Sequence, residues 1–281
     1  MVGARQISEV GSDVNEDLVW VGENAAVVLD GATGLSERHM SDFETDGQWY
    51  VNTLLDELKE VVTREQPLSN GAVQSVERVE ARYQDLAGDG EVEEHELPSA
   101  AGAIVRWTGN FVEYLVLGDC TVICSGTDFN EVISGEGPRE LDEKVVEEMV
   151  SIRESNEAVS YEELRSKVSS LLIEHRKLKN KPGGYWTFGL RPEAVDHAKT
   201  GSVHREEVDT VLAFTDGFDP IVSVFDVFID WENLVSYVVE NGLNRAVRVL
   251  RAFEAADPEC REHPRLKPSD DVGIAEIDFG A

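Results

Sequence analysis

Apolar runs that stop on an acid recur along this chain, and they constrain its fold more than any other feature. Val27-Val28-Leu29 ends in Asp30-Gly31, and Val116-Leu117 ends in Gly118-Asp119. Leu212-Ala213-Phe214 passes through Thr215 into Asp216-Gly217. The order is reversed where Asn15-Glu16-Asp17 precedes Leu18-Val19-Trp20-Val21, and where Asp270-Asp271 precedes Val272. A short apolar run bounded by turn signals reads as a buried strand. A carboxylate at its end stands at the rim of a sheet. The glycine after it lets the backbone turn or approach a ligand closely. Acids gathered at several strand ends offer oxygen ligands, the donors that hard cations such as Mg²⁺ and Mn²⁺ take. A two-ion site needs carboxylates converging on ions roughly 3.5–4 Å apart. Asp30 is the centre of that expectation, with Asp216, Asp270, Asp17 and Asp119 similarly placed. Taken singly, each has a plainer reading. Asp-Gly is a common turn signal, and 56 of the 281 residues are acidic, so some fall at strand ends by chance.

The acid surplus also bounds the partners. With 56 Asp and Glu against 25 Lys and Arg, the formal net charge is -31. The acids are spread along the chain instead of forming a tail. A dispersed negative shell around an ordinary apolar content fits adaptation to high salt, where screening relieves self-repulsion. It excludes nucleic acid as the expected partner, because that requires a basic face. No run approaches the roughly 20 apolar residues of a membrane helix. The start of the chain lacks the basic patch and apolar stretch of a signal peptide, so the expected location is the cytoplasm. Cys120, Cys124 and Cys260 are odd in number and lack CxxC spacing, which argues for reduced, buried thiols. Nothing in the sequence defines an oligomeric state.

Periodicity places the elements. Ile7–Val10 reads as a weak strand, and Leu18–Val21 with Ala25–Leu29 as a hairpin about Gly22-Glu23-Asn24. Helical spacing runs from Trp49 to Val62, stopped by Pro67, and again from about Ala72 to Leu86. Ala101–Trp107, Phe111–Leu117 and Thr121–Cys124 read as an antiparallel meander, with a short strand from Glu131 to Gly137. Pro138 to about Lys179 reads as helical. Tyr185–Leu190, Ala194–Thr200 and Thr210–Phe214 read as strands. Trp231–Val239 and Arg245–Ala255 read as helices, and Val272–Ile277 as the last strand. Tight βαβ alternation is absent, which favours an α+β fold with antiparallel sheets, expected as a single domain over residues 1–281.

In order and separation, Asn15-Glu16-Asp17, Asp30-Gly31, Ser99-Ala100-Ala101-Gly102-Ala103, Leu117-Gly118-Asp119-Cys120, Phe214-Thr215-Asp216-Gly217 and Asp270-Asp271-Val272 resemble the successive motifs of PP2C-type metal-dependent protein serine/threonine phosphatases. The resemblance implies a four-layer α-β-β-α sandwich of two antiparallel sheets flanked by helices. It implies phosphoserine/phosphothreonine hydrolysis of a phosphorylated protein by a binuclear Mn²⁺ or Mg²⁺ site and a metal-activated water. Asp30 would bridge both ions and the Gly31 carbonyl would bind one. Asp216 and Asp270 would hold one ion, and Asp17 would stand at a metal edge. Asp119, with Asp216, would form a third, weaker site. Glu16 would hold metal-coordinated waters, and Asp271 would cap or hydrogen-bond. Asp30 and Asp216 are the expected catalytic residues.

The chain departs from that pattern in two places. Ser12 stands near the position where the family commonly has a phosphate-gripping arginine. Arg5 is the nearest upstream candidate for phosphate binding, provided the Gly11 region bulges. Ala32 stands where many members have a histidine after Asp-Gly, and His39 reads as a surface loop residue. Arg38, Arg106 and Arg191 could contact phosphate, but each reads better as a surface ion pair. Tyr185-Trp186 reads as core. Two other functions remain open at this point: a non-catalytic regulatory or phospho-binding module of the same fold, and a phosphatase acting on a small phosphorylated molecule.

Overall fold

In chain order the strands are β1 (Gly3–Glu9), β2 (Asp17–Val21), β3 (Ala25–Ala32), β4 (Ser99–Trp107), β5 (Phe111–Leu117), β6 (Thr121–Gly126), β7 (Phe129–Ser134), β8 (Lys199–His204), β9 (Thr210–Phe214) and β10 (Val272–Asp278). This is a computed structural model that describes residues 2–11, 13–35, 39–87, 92–135 and 137–280. The strands form two five-stranded sheets, ordered β1-β10-β9-β6-β7 and β2-β3-β4-β5-β8. Every pairing within them is antiparallel.

The unbroken apolar runs have a structural cause. Side chains alternate across a strand, and in β3 both faces are buried. Ala25, Val27 and Leu29 pack against helices α1 (Asp46–Val61) and α2 (Leu68–Ala87). Ala26 and Val28 pack against the other sheet. In β9, Val211 and Ala213 face the same inter-sheet core. Leu212 and Phe214 face α6 (Pro220–Ser223), α7 (Trp231–Asn241) and α8 (Leu243–Ala256). The result is a four-layer α-β-β-α sandwich. Burying a side chain the size of Leu29 or Phe214 contributes about 1.5–3 kcal/mol, and both faces of each central strand contribute.

Local signals set the helix ends. Thr45 starts α1, its hydroxyl accepting from Gln48 N at 3.1 Å. The long helical stretch expected from Pro138 to Lys179 is instead three helices: α3 (Arg139–Ser155), α4 (Tyr161–Lys167) and α5 (Ser169–Arg176). Asn156 ends α3 in an extended conformation, and Ser160 with Glu163 forms a capping box that starts α4. These helices share a small core of Val145, Met149, Val159, Leu164 and Val168. They stand apart from the layers on either sheet.

The expected strand Ala194–Thr200 is corrected too. Pro192–His197 is a 3-10 turn, and the strand beside β5 runs over Lys199–His204. Pro192 favours the turn, and Ala194 and Val195 are buried in the core that α2 shares with β3. Tyr185–Leu190 is not a regular strand; among the described residues its β-type pairing is limited to the isolated bridges Lys179–Tyr185 and Ala100–Phe188. Cys120, Cys124 and Cys260 are free and buried. Among the described residues, no helix is long and apolar enough to cross a membrane.

Lys179 pins the segment after α5 to the start of β4. Its Nζ donates to Leu97 O at 2.6 Å and to Ser99 Oγ at 3.3 Å, and the residue is 1 % exposed. Burial, and then the nearby Arg176, pull this ammonium down to about 7, with Glu94 acting in the opposite direction. An unfolded lysine titrates near 10.4. Between roughly pH 7 and 10 the unfolded chain therefore binds the extra proton, and stability from this residue rises with pH across that window. Lys179→Met removes the group that titrates. Chemical denaturation at several pH values should show the native chain gaining stability relative to the variant from about pH 7 to 10, with the difference constant below pH 7.

Candidate metal centre

The antiparallel order brings the strand-end acids to one rim. The C-terminal ends of β3, β5 and β9 lie beside the N-terminal ends of β2, β4 and β10. Asp17 and Asp30 are direct partners in the β2–β3 register, and Asp30 pairs in turn with Ala101 of β4. Asp119 sits in the tight turn from β5 to β6. There Gly118 adopts φ +87, and a Cβ on it would come within 2.5 Å of Ala101 Cβ. Asp216 follows β9 and Asp270 precedes β10. Glu16, Asp30, Asp119, Asp216 and Asp270 all line one cleft of about 380 Å³. Asp17 is buried at this rim, and its Oδ2 accepts a hydrogen bond from Thr215 Oγ1 at 2.7 Å.

The cluster is electrostatically strained. Burial raises the Asp30 carboxyl well above the usual carboxylate range, and Asp216, Asp17 and Asp119 push it further. Asp17 is raised by burial despite the Thr215 hydrogen bond, with Asp270 and Asp216 adding to it. Asp216 is raised by burial and by Asp119. Asp119 rises to about 6 through burial and then Asp142, a residue of α3 that also lines the cleft. Asp270 rises to about 6 by burial, although Lys267 opposes the shift. Like charges held together out of water destabilise one another unless a cation intervenes. The donors are all oxygens, and that set suits a hard divalent cation. Among the described residues, no three acid, cysteine or histidine side chains already close on a single point. Asp270 Oδ1 accepts from Lys267 Nζ at 2.6 Å.

Neighbouring groups orient these acids. Glu16 accepts hydrogen bonds from the hydroxyls of Thr33 and Thr45, and its Oε2 accepts from Thr33 N at 3.3 Å. A Cβ at Gly47 would lie 2.4 Å from Glu16 Oε1, so this cradle requires glycine in the first turn of α1. Asp271 accepts from Gly11 N and Glu16 N, each at 2.8 Å, and so holds the loop before β2. Lys267 supplies a local positive charge at the cleft rim. Desolvation works against its ammonium, but Asp270, Asp216 and Asp30 outweigh this and hold its pKa well above the ordinary lysine value.

The other expected site residues fall elsewhere. Arg5 lies on β1 and pairs with Glu276 of β10 at 3.4 Å, close to the α7–α8 junction at Gly242. The structure does not bring it to the cleft. Ser12 and Arg38 lie outside the described residues. Ala32 lines the cleft and offers no proton donor. His39 is half-exposed, 3.8 Å from Asp46. Arg191 pairs with Glu94 at 2.9 Å. Arg106 also makes an ion pair, but a buried one. It grips Glu113 through Nε at 2.7 Å and Nη2 at 2.9 Å while donating to Arg64 O at 2.6 Å. Tyr185 is buried yet lines the cleft, and Trp186 stacks on His197 with ring centroids 3.6 Å apart. Sequence reasoning missed Thr33, Thr45, Asp142, Arg165, Arg176 and Lys267. Thr45 carried a helix-cap signal; Asp142 is one acid among many in an acidic helix.

Residues 12–248 match the protein phosphatase 2C family model, and the chain belongs to that family. The match ends before Asp270 and Asp271. No curated protein matches the chain. Among solved structures, the serine/threonine phosphatase PstP/Ppp of Mycobacterium tuberculosis has 14% identity and a TM-score of 0.56, covering 100% of this chain and 99% of that one. The PstP catalytic domain in complex with 2 manganese ions has 14% identity and a TM-score of 0.57, with coverage of 100% and 99%. The serine/threonine phosphatase Stp1 from Staphylococcus aureus has 13% identity and a TM-score of 0.57, with coverage of 100% and 96%. At these identities the likeness establishes a shared fold.

The strain in the cluster has a measurable consequence. In metal-free protein near pH 8, Asp30→Asn should raise the melting temperature, because it removes a carboxyl that on folding must either take up a proton above its ordinary pKa or carry a charge against its neighbours. For a chain of this length each kcal/mol corresponds to roughly 2–4 °C. Lys267→Met should lower it. Calorimetry with a chelator present checks both signs.

Proposed function

We propose that the chain is a metal-dependent phosphoserine/phosphothreonine protein phosphatase acting as one domain. The observation that supports this reading most is the convergence of Asp30, Asp119, Asp216 and Asp270, from separate strand ends, on one cleft. In this reading Asp30, the Gly31 carbonyl, Asp216 and Asp270 hold two Mn²⁺ or Mg²⁺ ions. Asp17 stands at a metal edge, and Asp119 with Asp216 serves a third, weaker site. Such ions, when bound, polarise a phosphoryl oxygen and make a nucleophile available at neutral pH.

The chain's own groups provide the positioning. Thr33 and Thr45 hold the Glu16 carboxylate in one orientation, suited to hydrogen-bonding water at the site. Asp271 keeps the Glu16-Asp17 backbone against the start of β10. Thr215 fixes Asp17 next to Asp216. Residues of α4 and α5 form one wall of the cleft.

Purified protein with Mn²⁺ should hydrolyse a phosphoserine or phosphothreonine peptide, and chelation should stop it. Asp30→Asn and Asp216→Asn should each reduce phosphate release to background. Lack of hydrolysis by folded, metal-loaded native protein across a phosphopeptide panel would overturn the reading. The pairing of Arg5 with Glu276 favours one second reading, a phospho-binding module without turnover. Calorimetry that finds peptide binding but no phosphate release would select it.

The acid surplus supports a salt-adapted protein. Its melting temperature should then rise steadily between about 0.1 and 2 M KCl, as screening shortens the range of self-repulsion. A flat or falling curve would remove that part of the proposal.

A further inference from the structure

One wall of the cleft carries charge of the opposite sign. Arg165 of α4 and Arg176, the last residue of α5, both line it. Both are half-buried, and among the described residues neither makes an ion pair. Among the described residues neither side chain makes a hydrogen bond either, which sets the pair apart from the half-buried Arg153 and Arg205 of this chain, each of which donates to backbone carbonyls. Other half-buried or buried arginines are engaged as well: Arg251 pairs with Glu9 and Glu254, and Arg265 pairs with Asp257.

The helices that carry these two arginines are anchored. Leu164 and Val168 anchor α4 in the small core that α3 shares with it, with Leu171, Leu172 and Leu266 packed alongside. The hydroxyl of Tyr161 donates to Leu266 O, tying α4 to the segment that carries Lys267 and Asp270. Burial, and then Asp216, raise Asp142 of the same cleft to about 7, while Arg176, Lys267 and Arg165 act in the opposite direction. The cleft is thus polarised: carboxylates at the sheet rim, guanidinium groups on the helical wall.

A guanidinium fork matches a carboxylate or a phosphate. With the phosphoryl group at the acid end, residues flanking the phosphorylated side chain would reach the arginine wall. We infer that Arg165 and Arg176 select phosphopeptides whose phosphoresidue is flanked by Asp or Glu. This rests on the phosphatase reading of the same cleft. A surface with a net charge of -31 repels such a peptide in general, so the pair supplies a local attraction on the helical wall, in addition to Lys267, which is already engaged by Asp270.

The test compares two phosphothreonine peptides, one with acidic and one with basic flanks, at the lowest salt that keeps the protein folded. The native chain should show a kcat/KM ratio of about tenfold or more in favour of the acidic peptide, the scale of one or two charge-assisted hydrogen bonds. Arg165→Gln with Arg176→Gln should bring the ratio near one, and Arg165→Glu with Arg176→Glu should invert it. A native ratio of one or below, or a ratio unchanged in either folded double variant, overturns the inference and leaves the phosphatase reading intact. Fluorescence anisotropy of labelled peptides on metal-free protein gives the same comparison without turnover. If no peptide is hydrolysed, the phosphatase reading fails, and the anisotropy ratio alone decides whether the arginine wall selects acidic peptides.

Discussion

Thr215 joins the two sheets at the rim, beside Asp17 and Asp216. It is completely buried. Its Oγ1 donates to Asp17 Oδ2 at 2.7 Å and accepts from Gly273 N at 2.9 Å, while its own N–H donates to Gly273 O at 3.0 Å. Asp17 belongs to β2 in one sheet; Thr215 and Gly273 belong to the β9–β10 end of the other. A Cβ at Gly273 would meet Val19 Cγ2 at 3.0 Å, so the close approach of the sheets here depends on glycine. A buried hydroxyl with both its donor and its acceptor satisfied is worth far more than its net hydrogen-bond energy, because leaving either group unpaired costs about 1–3 kcal/mol. This contact ties Asp17 of β2 to the strand end that carries Asp216.

The rim concentrates repulsion that the rest of the fold avoids. Asp30, Asp17, Asp216, Asp119 and Asp270 are all raised, each by burial first. Elsewhere buried acids have partners: Glu57 lies between Arg78 and Arg82, and Asp257 takes Arg265 at 3.0 Å. Strain confined to one cleft and supported by two well-packed sheets is the pattern of a functional site. Lys267 relieves it only in part.

Much of this organisation was legible in the sequence. The strand-end acids stood out because β3, β5 and β9 are buried, and an apolar run that stops on a carboxylate marks the rim directly. The α+β character with antiparallel sheets followed from the meander of β4 to β6 and from the absence of βαβ alternation. Other features were not legible. Helical periodicity continued across Asn156 and Val168, but capping groups broke it into α3, α4 and α5. Ala194 and Val195 read as the start of a strand, yet they fill the core beside α2 from a 3-10 turn. Arg5 was close in sequence to the expected phosphate position, but the β1–β10 register sets it opposite Glu276. Thr33 and Thr45 look like ordinary loop and cap residues until the fold sets both hydroxyls on Glu16.

By itself, the sequence determined which residues are buried, where the strands stop, and that acids stand at those stops. These are local consequences of hydrophobicity and backbone geometry. Only the tertiary structure decided which stops share a rim, which acids have partners, and which arginines are left without them. Those outcomes depend on strand order and register, contacts between segments as distant as Gly11 and Asp271, and no local pattern encodes them. The same distinction separates Asp30, evident from its own strand, from Arg165 and Arg176. Their position in the cleft arises only because three short helices pack beside the rim.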